Sequence, residues 1–341
     1  MDGKLWAKEY TGDWQQYTSR RFLVAPVAIE IDNDEPLRMA FSIDAYSSHI
    51  VYMSFVDGHW EHDNWHELAM ESHFFARPTV VGRLPNYVDV FNIDSEGRVF
   101  TVSYDGSSSS WGSWTELGSG FYGDLSATSW DENRIDVFGK YRDNNHVMHG
   151  WWTPADGWTK DFEDLGSAFS WQYEGDVDTS SPLTVSWRTP EGNTFIDVFM
   201  AGHSTYHNLY INGKWADWAM MYGSHEGYEF SDTQSLVAGN IETGILAHLI
   251  SRGTDDCIHY AQFNGTQWGF WQYLWCAENK NASYVTEHMP TVTVKGEDST
   301  VDFVTRDIEG NFIRYQAPKP PQPSDGAPWS NNNWELLGHG G

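Results

Sequence analysis

At 341 residues the chain is long for one ordinary hydrophobic core, which points to two domains unless an internal repeat divides the burial. Its 48 acidic against 20 basic residues leave a formal net charge of −28. With no Lys/Arg run, that balance argues against nucleic acid as a partner, and no stretch approaches the ~20 apolar residues of a membrane span.

The 19 Trp, 17 Tyr and 18 Phe, with few helix-period runs, fit twisted sheets packed through bulky rings. In chain order, residues 3–17 read as two short strands, Leu5-Trp6 and the neighbourhood of Trp14, joined at Gly12-Asp13. Six fuller copies of one pattern follow, at approximately 22–70, 71–120, 121–169, 170–224, 225–279 and 280–341, after the partial copy at 1–21. Each copy predicts four strands. The first opens near Pro26, Pro78, Leu125, Pro182, Ser235 or Pro290, where a proline is tolerated because a strand's first residue need not donate. The second carries Phe41, Phe91, Phe138, Phe199, Leu249 or Val304, typically within a variant of Val-Asp-Val-Phe. The third ends in a turn dipeptide, Asp57-Gly58, Asp105-Gly106, Asp156-Gly157, Asn212-Gly213 or Asn264-Gly265, which predicts a hairpin to the fourth. Trp65, Trp114, Trp218, Trp271 and Trp334 mark that fourth strand and are expected to pack one sheet on the next.

A repeat near 50 residues with four short strands is the signature of a β-propeller, so residues 1–341 are expected to form one all-β propeller domain. The expected count is seven blades with an incomplete first, the alternative being six blades plus an N-terminal hairpin. Cys257 and Cys276 fall in one repeat and are expected as free thiols. The N-terminus lacks the apolar core of a secretory signal, which leaves a cytoplasmic chain and a secreted one with its signal removed both open; oligomeric state is not legible.

Arg134-Ile135-Asp136-Val137-Phe138 through His149-Gly150-Trp151-Trp152 to Asp164-Leu165-Gly166 resembles the repeat of lectin-like propellers, the bacterial Photorhabdus-type lectins and the fungal fucose-binding lectins. The resemblance implies the fold and a repeated sugar site, in the fucose-binding type an Arg on the second strand and a Glu on the third. The matching second-strand positions are Met39, Asp89, Asp136, Asp197, Ala247 and Asp302. On the third strand they read as Ala7, Met53, Thr101, His149, Asn208, Tyr260 and Tyr315, so no copy fits that recipe. One residual sugar site of the bacterial type is expected at His149, Trp151 and Trp152.

Framework residues recurring while ligand positions diverge suits one asymmetric site at the mouth of a central channel, near the start of each first strand. That places His288, Arg77 and Asp124 as candidate catalytic groups, and Tyr122, Trp130, Trp187, Gln234 and Met289 as substrate-binding walls, with Val24, Ala25, Ala76, Ser180, Ser181 and Thr233 nearby. The main functional expectation is a cofactor-free enzyme acting on a small, largely apolar substrate. It resembles in fold the fungal hetero-Diels–Alderases, which dehydrate to a quinone methide and guide cycloaddition to an alkene. A glycan-binding lectin is the alternative, and a polysaccharide lyase or glycosidase the third. No metal is expected from the cluster His59, His62, His66 and His73, because His62 and His66 on one strand are roughly 13 Å apart by the strand rise.

Overall fold

The computed structural model describes residues 6–7, 13, 15–16, 18–31, 36–56, 59–61, 64–68, 70–168, 181–189, 191–201, 204–221, 230–240, 245–253, 257–264, 267–275, 291–295, 300–306, 311–317 and 334–339. All regular structure among them is β. Trp6–Ala7 and Gln15–Gln16 form a two-stranded hairpin, and six antiparallel meanders follow, each with its strands hydrogen-bonded in chain order. Sheet 1 runs Val27–Ile31, Leu37–Ile43, Ile50–Val56; sheet 2 runs Thr79–Arg83, Tyr87–Ile93, Val99–Asp105; sheet 3 runs Phe121–Asp131, Arg134–Tyr141, Val147–Thr153; sheet 4 runs Leu183–Arg188, Thr194–Ala201, Thr205–Ile211. In these four the fourth position is split into two short segments that both pair with the third strand, such as Ser110–Trp111 and Thr115–Gly118 in sheet 2. Sheet 5 runs Phe230–Asn240, Ile245–Gly253, Ile258–Phe263, Gln272–Trp275, and sheet 6 runs Thr291–Lys295, Thr300–Arg306, Asn311–Ala317, Trp334–His339.

The chain divides into two compact units, Met1–Ser167 with Gly341, and Ala168–Gly340. The first holds the hairpin and sheets 1–3, the second sheets 4–6.

The second strands of sheets 1 to 4 are largely buried on both faces, as Tyr87–Ile93 shows from Val88 onward, where sheet 2 is stacked between sheets 1 and 3. One contact recurs between successive sheets of a unit. Trp111 meets Phe41 edge-on at 6.1 Å, Trp158 meets Phe91 at 5.6 Å and Trp268 meets Phe199 at 5.0 Å, with interplanar angles of 88°, 85° and 86°. Each such pair adds about 0.5–1.5 kcal/mol beyond the area it buries. In sheets 2 and 5 the tryptophan making it is the first of two, Trp111 before Trp114 and Trp268 before Trp271. Trp65 and Trp114, chosen from sequence for that contact, instead cover Phe22 at 4.7 Å and Phe74 at 5.4 Å.

Asn212-Gly213 forms the expected two-residue hairpin, both residues at positive φ (45° and 96°), between Ile211 and Lys214. Asp105-Gly106 does not: strand pairing resumes only at Ser110, with Ser109 at φ 49° closing the longer turn. Asp105 instead accepts bonds from the Ser107 amide and hydroxyl, an Asx-type turn that competes with the tight hairpin. The cysteine expectation is corrected too, since Cys257 is disulfide-bonded and Cys276 is the only other cysteine in the sequence.

Candidate functional site

The middle of the second strand carries a carboxylate in three successive sheets. Asp89, Asp136 and Asp197 are fully buried, and each lies two residues before a buried Phe of its strand, Phe91, Phe138 and Phe199. A lone buried carboxylate costs several kcal/mol, so each must have a partner. In sheet 2, Arg83 Nε donates to Asp89 Oδ2 at 2.6 Å and Nη2 to Oδ1 at 3.3 Å, and Ser103 Oγ donates to the same Oδ1. In sheet 3, Arg134 Nη2 donates to Asp136 Oδ1 at 2.6 Å, while His149 Nε2 lies 2.8 Å from that oxygen and its Nδ1 3.1 Å from Glu163. In sheet 4, His207 Nδ1 lies 3.1 Å from Asp197 Oδ1, and the indole N–H of Trp268 in sheet 5 donates to Oδ2 at 2.7 Å. Burial raises the Asp197 carboxyl against the opposing pull of His207 and Trp268. Burial also disfavours the His207 cation, but the Asp197 charge and hydrogen bond outweigh it, and the imidazole pKa is raised. We read the pair as an imidazolium held on a carboxylate, since Asp197 gains a second donor in Trp268.

Arg83 leads to a cleft. It lies where the first and second strands of sheet 2 meet, opposite Tyr87. Its guanidinium is sandwiched between the Tyr87 ring and the Trp152 ring of sheet 3, 4.8 Å from each centroid, and Nη1 donates to the Glu132 carbonyl at 2.9 Å. Three of its five N–H groups are thus engaged, and the residue borders a cleft of about 670 Å³ between sheets 2 and 3. Trp111, Trp152 and Trp158 supply apolar walls, Ser103, Ser108 and Ser110 hydroxyls, and Asp105 and Glu132 carboxylates. Hydrogen bonds from Ser107 lower the Asp105 pKa, its slight burial opposing them, so the group is charged at neutral pH.

No protein-family model and no curated protein matches the sequence. Solved structures do match it over most of its length. AofleA from Arthrobotrys oligospora superposes with a TM-score of 0.56 at 9% identity, covering 95% of this chain and 89% of that one. SapL1 lectin in complex with α-methyl fucoside gives 0.53 at 13% identity, covering 92% and 95%. A variant of the Aleuria aurantia lectin in complex with Fucα1-6GlcNAc gives 0.53 at 14% identity, covering 80% and 89%. The chain has the fold of the lectin β-propellers.

Within the propeller, the residues singled out from sequence distribute as follows. The Arg77 side chain is exposed, and Asp124 accepts a 3.0 Å bond from the Arg77 amide, not from its guanidinium. Tyr122 donates to Asn145 at 2.6 Å and lies beneath Lys140, whose Nζ is 4.7 Å from its ring centre. Trp130 stacks on Arg134 at 5.2 Å, and Trp187 lies in the core of the second unit, stacked on Phe195 at 5.3 Å. Gln234 pairs with Ser251 along the first strand of sheet 5, while His288 and Met289 lie outside the described residues. The trio His149, Trp151 and Trp152 is split between the two faces of sheet 3. Trp152 lines the cleft, Trp151 covers Arg134 at 5.2 Å on the other face, and His149 is closed off between Asp136 and Glu163, with Phe138 stacked on it at 4.6 Å.

Strand register corrects the third-strand alignment. Opposite Phe41, Phe91, Phe138 and Phe199 stand Tyr52, Thr101, His149 and His207, with Ala261 opposite Leu249 and Arg314 opposite Val304. The sequence alignment was one residue off in sheets 1, 4, 5 and 6, and a slip of one turns a side chain to the opposite face. His207 is therefore a second copy of the His149 position, concealed by taking Asn208. Arg83 was missed because its role depends on pairing with Tyr87 around a turn. The signal available was positional: Arg83/Tyr87/Asp89, Trp130/Arg134/Asp136 and Trp187/Phe195/Asp197 are variants of one layer, its cation exchanged between strands and then lost.

Proposed function

We propose that the protein binds carbohydrate and that the cleft between sheets 2 and 3 is a sugar site. A pyranose presents a C–H face and several hydroxyls that each donate and accept. The cleft meets both demands, with indole faces for the ring and the unspent Arg83 donors, serine hydroxyls and carboxylates for its hydroxyls. At about 670 Å³ it is in the range of small-ligand sites. The observation that carries the reading is the Arg83 clamp: Asp89, Tyr87 and Trp152 fix the guanidinium, so little entropy is lost when a ligand bonds to it. The fucosides named in the SapL1 and Aleuria aurantia structures make fucose the first sugar to try.

Calorimetric titration of fucosides into the wild type and Trp152→Leu tests this. Binding by the wild type, weakened at least tenfold in a variant that melts cooperatively, is expected; equal binding by both removes the cleft as the site. The rival reading, a single-site cycloaddition enzyme using His288, Arg77 and Asp124, predicts instead that His288→Ala abolishes turnover of a quinone-methide precursor while Trp152→Leu leaves it intact.

A further inference from the structure

We infer that the cleft selects amine-bearing sugars and rejects carboxylated ones, an inference that rests on the sugar-binding reading above. Its one cation does not act as a free positive charge. Arg83 is 6% exposed and joined to Asp89 through two hydrogen bonds, so the two charges cancel before any ligand arrives. What remains at the opening is Asp105 from sheet 2 and Glu132 from sheet 3. Counting Asp89, one guanidinium faces three carboxylates, two negative charges in excess.

Those two carboxylates keep acceptor capacity. Asp105 is bonded by Ser107 through Oδ1 and further by Ser108, while Glu132 receives only the Asn133 side chain through Oε1 at 3.4 Å, so its Oε2 has no partner among the described residues. One further group points to a ligand beyond the acidic rim. Arg83, itself buried, has two N–H groups without a bond and lines the cleft. N–H groups of a guanidinium already paired with a carboxylate read hydroxyls, while indole walls accept a cation as readily as a C–H surface. A sugar ammonium would thus meet two carboxylates and aromatic walls, with its hydroxyls left for the Arg83 donors. A uronate or sialic acid would bring a third exposed carboxylate into the same space, with no unpaired cation among the lining residues to receive it.

The test is a glycan array read with the full chain, carrying matched neutral, amine-bearing, N-acetylated and carboxylated saccharides in the gluco, galacto, manno and fuco configurations. Hits are titrated at low and at 0.5 M salt, and a plain alkylamine serves as the charge-only probe. The expected result is about tenfold tighter binding of the amine-bearing sugar than of its neutral and N-acetylated counterparts, with no binding of the carboxylated one. That preference should shrink at high salt and vanish in Asp105→Asn/Glu132→Gln, in which any binding that remains is equal for the amine-bearing, neutral and N-acetylated forms. Equal binding of amine and N-acetyl forms, or tighter binding of an acid, overturns the charge inference and leaves the sugar reading standing. Alkylamine binding as tight as the amino sugar's overturns it as well, since the ring would then contribute nothing. No binding anywhere on the array overturns the sugar reading and this inference together.

Discussion

The Asp89 layer of the first unit and the Asp197 layer of the second occupy the same register position, yet one opens to a cleft and the other is sealed. At Asp89 the layer above is Arg83 beside Tyr87, a wide guanidinium that satisfies the carboxylate and still has donors to spare. At Asp197 the same layer is Trp187 stacked on Phe195, and the carboxylate is met from below by His207 and from the neighbouring sheet by Trp268. A buried charge of this kind can serve as the foundation of a ligand site or as a lock between two sheets. The choice depends on whether its partner has unspent hydrogen-bonding groups facing outward.

Breaking the lock should cost most. Asp197→Ala leaves an imidazole and an indole N–H buried without their acceptor and should lower unfolding free energy by about 3–5 kcal/mol in urea denaturation. Trp268→Phe keeps the ring against Phe199 but removes one donor from Asp197, for a loss of about 1–3 kcal/mol on the same measurement.

Acid and alkali should then separate two histidines of the second unit. The raised His207 pKa means that its contribution is complete below the unfolded value of 6.5 and is lost as pH rises through the higher folded value. His248, bonded to the Tyr260 hydroxyl at 2.7 Å, is pushed down by burial to about 4. Its contribution is complete above 6.5 and is lost as pH falls from there through about 4. Thermal melting against pH should therefore flatten on the alkaline side in His207→Gln and on the acid side in His248→Gln. The smallest expected effect is that of Asp105→Asn at the cleft rim, within about 0.5 kcal/mol of wild type in stability, because the side chain supports a surface turn and no core contact.

Much of the frame was legible because it repeats. A Val/Ile-Asp-Val-Phe run located the second strands of sheets 2, 3 and 4, and Asn212-Gly213 specified its turn through backbone conformations that few other residues tolerate. What escaped depends on contacts across strands and sheets. Phe41 does not reveal that its edge-on partner is Trp111 and not Trp114, since the two are three residues apart and both belong to the outer strand. His207 was hidden by a one-residue slip, and the Cys257 disulfide by a composition argument that says nothing about geometry. Trp152 stood out in the sequence as a candidate sugar-site residue, but its association with Arg83 was not legible, because the two lie on different sheets. Sequence periodicity reports which residues share a face; which face meets which is settled by packing.

The most direct test of the cleft is a crystal structure of the full chain soaked with the saccharide that binds most tightly in solution. Sugar density stacked on Trp152 and within hydrogen-bond reach of the free Arg83 N–H groups is the predicted result. Well-ordered sugar bound elsewhere on the propeller, with the cleft between sheets 2 and 3 holding only water, would contradict it.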